Sequence, residues 1–304
     1  MDKTGGKFVR LLPQLGYRQK TLIMMLSPAI LVLLVITVFP FFYLVGVSFS
    51  GLELAKPYLG SPFVGFANYI DLLTNERFWN SVKLTAIFTA CALTIEFLAG
   101  FGLALMLKDK FPGKNLVLPL FLIPMVIPPV VVGLSWRFLF DATIGFVNYI
   151  IGFLGISGKS WLADPSLALI TIIVADIWQW TPFMMLVLLA GFQSLPIEPF
   201  EASKVDGATG FQTFRYITLP LMQGAIMVAI LIRSIDIFRA FDVIYMMTEG
   251  GPGTATETMS IYSYLMGFSY FRTGAASAFA VIMLAITIFV CQIFLKFMRR
   301  EEVT

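Results

Sequence analysis

Histidine is missing altogether from the 304 residues. Its absence removes the commonest metal ligand and the usual general base of enzymes. Only two cysteines occur, Cys91 and Cys291, both inside apolar runs. They read as buried thiols rather than as a disulfide or a metal site, and no metal site is expected. Charge is scarce too. Charged residues make up 13 % of the chain and the net charge is +3, which gives no argument for a nucleic-acid partner. What remains is apolar: 58 % of residues are hydrophobic and the mean hydropathy is +0.87. That is too apolar for a soluble domain of this length.

The apolar residues fall into six runs, at about 21–47, 82–107, 116–140, 167–192, 219–247 and 275–297. Each exceeds the roughly 20 residues that cross about 30 Å of hydrocarbon as a helix. The sequence therefore predicts an all-α polytopic membrane protein with six transmembrane helices, preceded by a basic arm at 1–20. The first run is longer than the core of a signal peptide and lacks a small-residue cleavage site. The third carries Pro119, Pro124, Pro128 and Pro129. A span tolerates such prolines where neighbours re-satisfy the freed carbonyls, so a kinked helix packed inside the bundle is expected.

Basic residues set the orientation. With the amino end inside, thirteen Lys and Arg fall in the arm, the 108–114 turn, the 193–218 loop and the tail after 295. Four (Lys56, Arg77, Lys159 and Arg272) fall in the three outer loops. By the positive-inside rule both termini and the 193–218 loop are expected in the cytoplasm.

The 193–218 loop mixes both signs of charge between two apolar segments: Glu198, Glu201, Lys204, Asp206 and Arg215. Pro199 suits a helix start, with Glu201 in the first turn where the helix dipole favours an anion. Asp206-Gly207 suits a turn, since glycine accepts positive φ without steric cost. A second short helix is expected from Phe211 to Tyr216, ahead of Pro220. Together these make a compact knob suited to docking on a partner. An ordinary amphipathic loop would carry the same local features.

Glu201-Ala202-Ser203, then Gly207, Ile217, Leu219 and Pro220, keep the spacing of a longer pattern. This stretch resembles the coupling loop of permeases from binding-protein-dependent ABC importers: Glu-Ala-Ala, three residues, Gly, nine residues, Ile, one residue, Leu-Pro. Ser203 departs from the third position, a change of one small residue for another. Further segments resemble carbohydrate-uptake permeases of the maltose and glycerol-3-phosphate type, specifically the first of two unlike membrane subunits. They are Phe63 to Tyr69, Ile123 to Pro129, Ser135 to Phe140, Phe241 to Pro252, and Thr256-Glu257-Thr258 with Tyr262 and Phe268.

The resemblance implies the type I ABC importer permease fold in a bacterial cytoplasmic (inner) membrane. It implies a second homologous permease, an ATPase dimer that carries ATP and Mg, and a periplasmic or lipid-anchored solute-binding protein. The loop, through Glu201, Ala202, Ser203, Asp206, Gly207, Leu219 and Pro220, would sit in a cleft of the ATPase. Alternating access would then be a rigid-body motion. No cofactor would be bound by this chain itself. Gly155-Ile-Ser-Gly158-Lys159-Ser160 resembles a phosphate loop, but Phe153 stands where its first glycine is required.

Ionisable groups within the runs are costly against lipid and so carry information. Arg233, Asp236, Arg239 and Asp242 recur at i+3 with alternating sign on the expected fifth span. They form either a polar wall of a translocation pathway or an internally neutralised network, Arg233 pairing with Asp236 in the second case. Glu96 and Asp176 have no local partner. They either pair with those arginines across helices or line a water-filled cavity. Trp178, Gln179, Trp180, Asn148, Tyr149 and Tyr245 could stack on and hydrogen-bond a neutral polyhydroxylated solute, although Trp and Tyr also serve as interface anchors. The competing function is a proton-coupled secondary transporter that uses Glu96 or Asp176. An intramembrane enzyme finds no His, paired Asp or Ser/Lys constellation to rest on.

Overall fold

The computed structural model describes residues 17–109 and 111–301. Most of the basic arm expected at 1–20 lies outside them, as do the side chains of Arg299 and Arg300. Among the described residues the chain is helical, with one isolated bridge between Ser50 and Phe63. Five helical segments are long and apolar enough to cross a membrane, and a sixth span is bent.

The first span joins α1 (Tyr17–Leu33) to α2 (Phe39–Ser48) through a π turn, Leu34–Val38. A short helix, α3 (Ala67–Thr74), precedes α4 (Glu76–Leu107). Asn75 caps α4 by accepting the backbone N–H of Arg77 at 2.8 Å, so the span starts six residues before its apolar run.

The third span departs most from expectation. It is two helices, α5 (Lys114–Val126) and α6 (Pro129–Leu139), meeting at 90°. Pro128 and Pro129 both lack an N–H, and Pro128 holds Ile127 in an extended conformation, ψ 130°. The pair also lies at the edge of the bundle. No residue of α5 is buried, and on α6 only Val132 and Gly133 are.

Helix α7 (Phe146–Phe153) occupies the next connection, between the third and fourth spans. Helix α8 (Pro165–Gln193), capped by Asp164, is the central span and the most buried one. It packs on α4, α5 and α11. Helices α4 and α8 approach closely at Gly100, where a Cβ would lie 2.6 Å from the Met184 Cβ. Small residues at such crossings let backbones meet, as membrane helices require.

Two short helices, α9 (Glu198–Val205) and α10 (Gly210–Thr213), lead through a π turn, Phe214–Thr218, into α11 (Leu219–Phe238). The second short helix is thus no separate element. It continues into the fifth span, and the π turn accommodates Pro220, which has no N–H to offer the preceding turn. That span ends at Phe238 rather than near 247. Helix α12 (Asp242–Thr248) begins anew after the break at Arg239–Phe241. Helix α13 (Met259–Tyr264) and the last span, α14 (Thr273–Glu301), complete the chain.

The apolar core divides into three clusters. One gathers α4, α6, α8, α11 and α12 around Phe88, Ile172 and Ile244. A second fills the far half of α4, α8 and α11 around Met184, Leu188 and Met222. A third joins α3, α4, α13 and α14 around Phe78 and Phe279. Large apolar side chains elsewhere stay exposed, the first span above all. Cys91 is exposed as well, contrary to the expected buried thiol. A span in lipid need not bury its apolar face in protein.

Candidate functional site

Three polar constructions interrupt this apolar body. The first lies at the crossing of α4, α8 and α11. Arg233 donates from Nε to Glu96 at 2.7 Å and from Nη2 at 2.9 Å, and Nη2 also donates to Asp176. All three residues are buried. The guanidinium also lies over the Trp180 ring, 5.0 Å from its centroid. This corrects the local pairing of Arg233 with Asp236. Asp236 instead takes Arg239, 3.1 Å away and well exposed. Sequence spacing favoured the i+3 neighbour, but three-dimensional packing supplied Arg233 with two carboxylates on other helices. Glu96 and Asp176 find their partner there.

Beside this triad, the break after Phe238 opens a cleft of about 380 Å³. Asp176, Trp180, Arg233, Asp236, Arg239 and Asp242 face it. Because the helix stops, Asp242 sits in the first turn of α12, where the helix dipole favours its charge. Tyr245 lies one turn further, stacks on Phe241 and meets the Tyr264 ring edge to face.

Two other residues expected at the solute have partners within the chain, although the Gln179 Oε1 is buried without one among the described residues. Gln179 donates to the Ile127 carbonyl at 3.1 Å, the group left open at the α5–α6 bend. The Asn148 amide is saturated by Ala142, Lys159 and Trp161. Trp178 packs on Trp136, and Tyr149 is exposed against Phe153.

The second construction is the knob formed by α9 and α10. Gly207 has φ +70° and ends α9 in a Schellman turn. Its N–H donates to Lys204 at 3.2 Å, and the Ala208 N–H donates to Ser203 at 2.9 Å. Thr209 and Gln212 close a reciprocal capping box at the start of α10. Ser203 is buried, with its hydroxyl donating to Phe200 at 2.9 Å, so the departure from alanine leaves no polar group stranded. Glu201, Ala202, Lys204, Asp206 and Arg215 stay exposed, and among the described residues these charges form no ion pair. Val205, Phe211 and Tyr216 are also exposed, at 88, 76 and 72 %. Leu219 and Pro220 begin α11 behind them. Phe214 anchors the knob against Phe101.

The third was not foreseen. At the opposite end of α4, Arg77 grips Glu257 through two hydrogen bonds of 2.8 and 2.7 Å and donates to the Tyr270 hydroxyl at 3.0 Å. Its guanidinium also sits 5.0 Å from the Tyr262 ring centroid. Glu257 is buried. Nearby, Thr85 accepts the Met259 N–H at 2.9 Å and Asn80 donates to Thr254 at 3.2 Å. Arg77 stands beside Glu76 in its loop, and Glu257 shares its own with Glu249 and Arg272, so neither stood out, and 180 residues separate the two partners.

With this geometry in hand, the comparisons with known proteins are specific. Residues 96–301 match the family described as binding-protein-dependent transport system inner membrane component. A probable ABC transporter permease protein of Sinorhizobium fredii is 38 % identical over 274 residues, covering 89 % of this chain and 88 % of that one. The trehalose/maltose transport system permease protein of Thermococcus litoralis is 36 % identical over 263 residues, covering 86 and 87 %. Among solved structures, a bacterial ABC transporter involved in the import of the acidic polysaccharide alginate superposes with a TM-score of 0.81. It is 25 % identical over 93 % of this chain and 96 % of that one. These likenesses leave no support for a proton-coupled secondary transporter built on Glu96 or Asp176. The chain belongs to the family of inner membrane components of binding-protein-dependent transport systems, and is a multi-pass permease subunit of an ATP-driven ABC importer of the carbohydrate-uptake type.

Proposed function

We propose that this chain imports a sugar, or a sugar derivative or polyol, as one half of a translocation pathway shared with a second, homologous permease. The observation that carries this reading is the α9–α10 knob. Its charges find no ion-pair partner among the described residues and its large apolar side chains stay exposed, on a frame made rigid by the Schellman turn and the capping box. A surface of that kind, polar and apolar together and held in one shape, suits a protein cleft.

The occupant of the far side of that contact is a separate ATPase dimer, which holds ATP and Mg; this chain supplies no nucleotide site. Both termini and the knob face the cytoplasm, in keeping with the distribution of basic residues. Glu201 meets a basic group of the ATPase, while Gly207 keeps its left-handed backbone. Closure of the ATPase dimer moves the knob. Since Phe214 packs on Phe101 and α10 runs on into α11, that motion reaches α4 and α11 as a rigid-body shift.

At the other end of the cycle, a solute-binding protein, periplasmic or lipid-anchored, delivers its sugar. The cleft at the α11–α12 break, with Trp180, Asp236, Arg239 and Asp242, is this chain's polar contribution to the path. The names of relatives from Thermococcus litoralis and Agrobacterium fabrum, permease proteins for trehalose/maltose and for sulfoquinovosyl glycerol, favour a carbohydrate solute.

The test is purification from the native membrane in mild detergent with mass spectrometry of what accompanies the chain. An ATPase and a second permease are expected, and Glu201→Lys should release the ATPase alone. Recovery of this chain without an ATPase would remove the proposal.

A further inference from the structure

The charges around the α11–α12 cleft are not balanced by chance pairs of equal number. Arg233 is already held by Glu96 and Asp176, and Arg239 by Asp236. Asp242 has no cation within ion-pair distance among the described residues. Each guanidinium facing the cleft thus already has a carboxylate partner, buried for Arg233 and exposed for Arg239. Recognition of a carboxylate or sulfonate depends on such a group, most often a planar guanidinium offering two parallel donors. Turning Arg233 toward an anion would strand two buried carboxylates. The surplus sign in the cleft is negative whether the triad carries a spare charge or not, because Asp242 remains.

We infer that this cleft discriminates against anionic solutes, with Asp236 and Asp242 as specificity-determining residues, and that the carried sugar is uncharged or bears an amino group. Like charges placed against a wrong ligand exclude it as effectively as contacts select the right one. The alginate importer of similar fold takes an acidic polysaccharide, so the backbone does not impose this sign; the lining residues do. The inference rests on the cleft being part of the solute path.

The test reads the potential of the cleft directly. In the assembled importer, with Cys91→Ala and Cys291→Ala, Ala240→Cys places a thiol in the wall of the cleft. Its rates of reaction with a cationic trimethylammonium-ethyl and an anionic sulfonato-ethyl methanethiosulfonate are compared with those of a free thiol. The cationic reagent should be favoured about tenfold over the free-thiol ratio. Asp236→Asn together with Asp242→Asn should return the ratio to within about twofold of the free thiol. A ratio equal to the free thiol in the parent, or one indifferent to the double change, would overturn the inference. A thiol that neither reagent reaches would overturn it too, since the cleft would then be closed to solute. The pathway reading fails separately: a neutral disaccharide, supplied with binding protein and ATP, that never slows labelling would remove it and leave the charge ratio standing.

Discussion

Two regions of this chain carry charge through an apolar body, and they handle it in opposite ways. At the crossing of α4, α8 and α11 the charges are buried and spent on one another, Arg233 against Glu96 and Asp176. At the α9–α10 knob, Glu201, Lys204, Asp206 and Arg215 are exposed and form no ion pair among the described residues, beside exposed Val205, Phe211 and Tyr216. The first region is complete within one chain, so it serves architecture and shapes the cleft beside it. The second is rigid but incomplete, and a partner is what completes it. Burial and pairing, rather than the mere presence of charge in a membrane protein, separate the two roles.

The sharpest way to break the comparison is Arg233→Met. It leaves two carboxylates without a counter-charge, and removing one partner of a buried pair costs about 3–5 kcal/mol. Loss of folded protein, read by size-exclusion chromatography in detergent and by thermal melting, is expected. Adding Glu96→Gln and Asp176→Asn should recover much of it. If Arg233→Met melted like the parent, the triad would not be architectural.

At the opposite end of α4, Arg77→Ala removes the only ion-pair partner of buried Glu257 among the described residues. Hydrogen bonds to charged groups contribute about 1.5–3 kcal/mol, so a clear drop in melting temperature should follow. The smaller Arg77→Lys change keeps the charge but forfeits the two-pronged grip and should fall between. In the knob, Gly207→Val forces a branched residue into φ +70°. That conformation costs about 1–2 kcal/mol for a residue with a side chain. Nothing lies within 4 Å of the added Cβ, so the strain is local. The chain should fold, yet solute-stimulated ATP hydrolysis by the complex should fall. The smallest effect belongs to Gln179→Leu, which gives up one hydrogen bond to Ile127, about 1 kcal/mol, and should loosen the α5–α6 bend as measured by hydrogen exchange.

These differences track what could be read from the sequence. Runs of apolar residues revealed every span, because membrane thickness sets their length independently of the partners they pack on. The Glu201 to Pro220 pattern revealed the knob for a similar reason: its caps and its glycine act within a few residues. Legibility ended where contacts are long-range. Arg233 had an anion at i+3, and only the packing of α4, α8 and α11 replaced it with Glu96 and Asp176. Arg77 and Glu257 gave no local sign of each other. The breaks were half legible. Pro128-Pro129 foretold a kink, but the 90° angle depends on what α5 and α6 rest against. Nothing between Ile237 and Asp242 marks the end of α11 as strongly, and the expected fifth span ran past it.

The measurement that reaches furthest is solute-stimulated ATP hydrolysis by the reconstituted complex carrying Gly207→Val, alongside the amount of ATPase that co-purifies with it. The account predicts a folded permease whose stimulation is lost, with ATPase retained or weakened, because the knob transmits force only in its native turn. A complex that kept full stimulation and full uptake with valine at position 207 would contradict it.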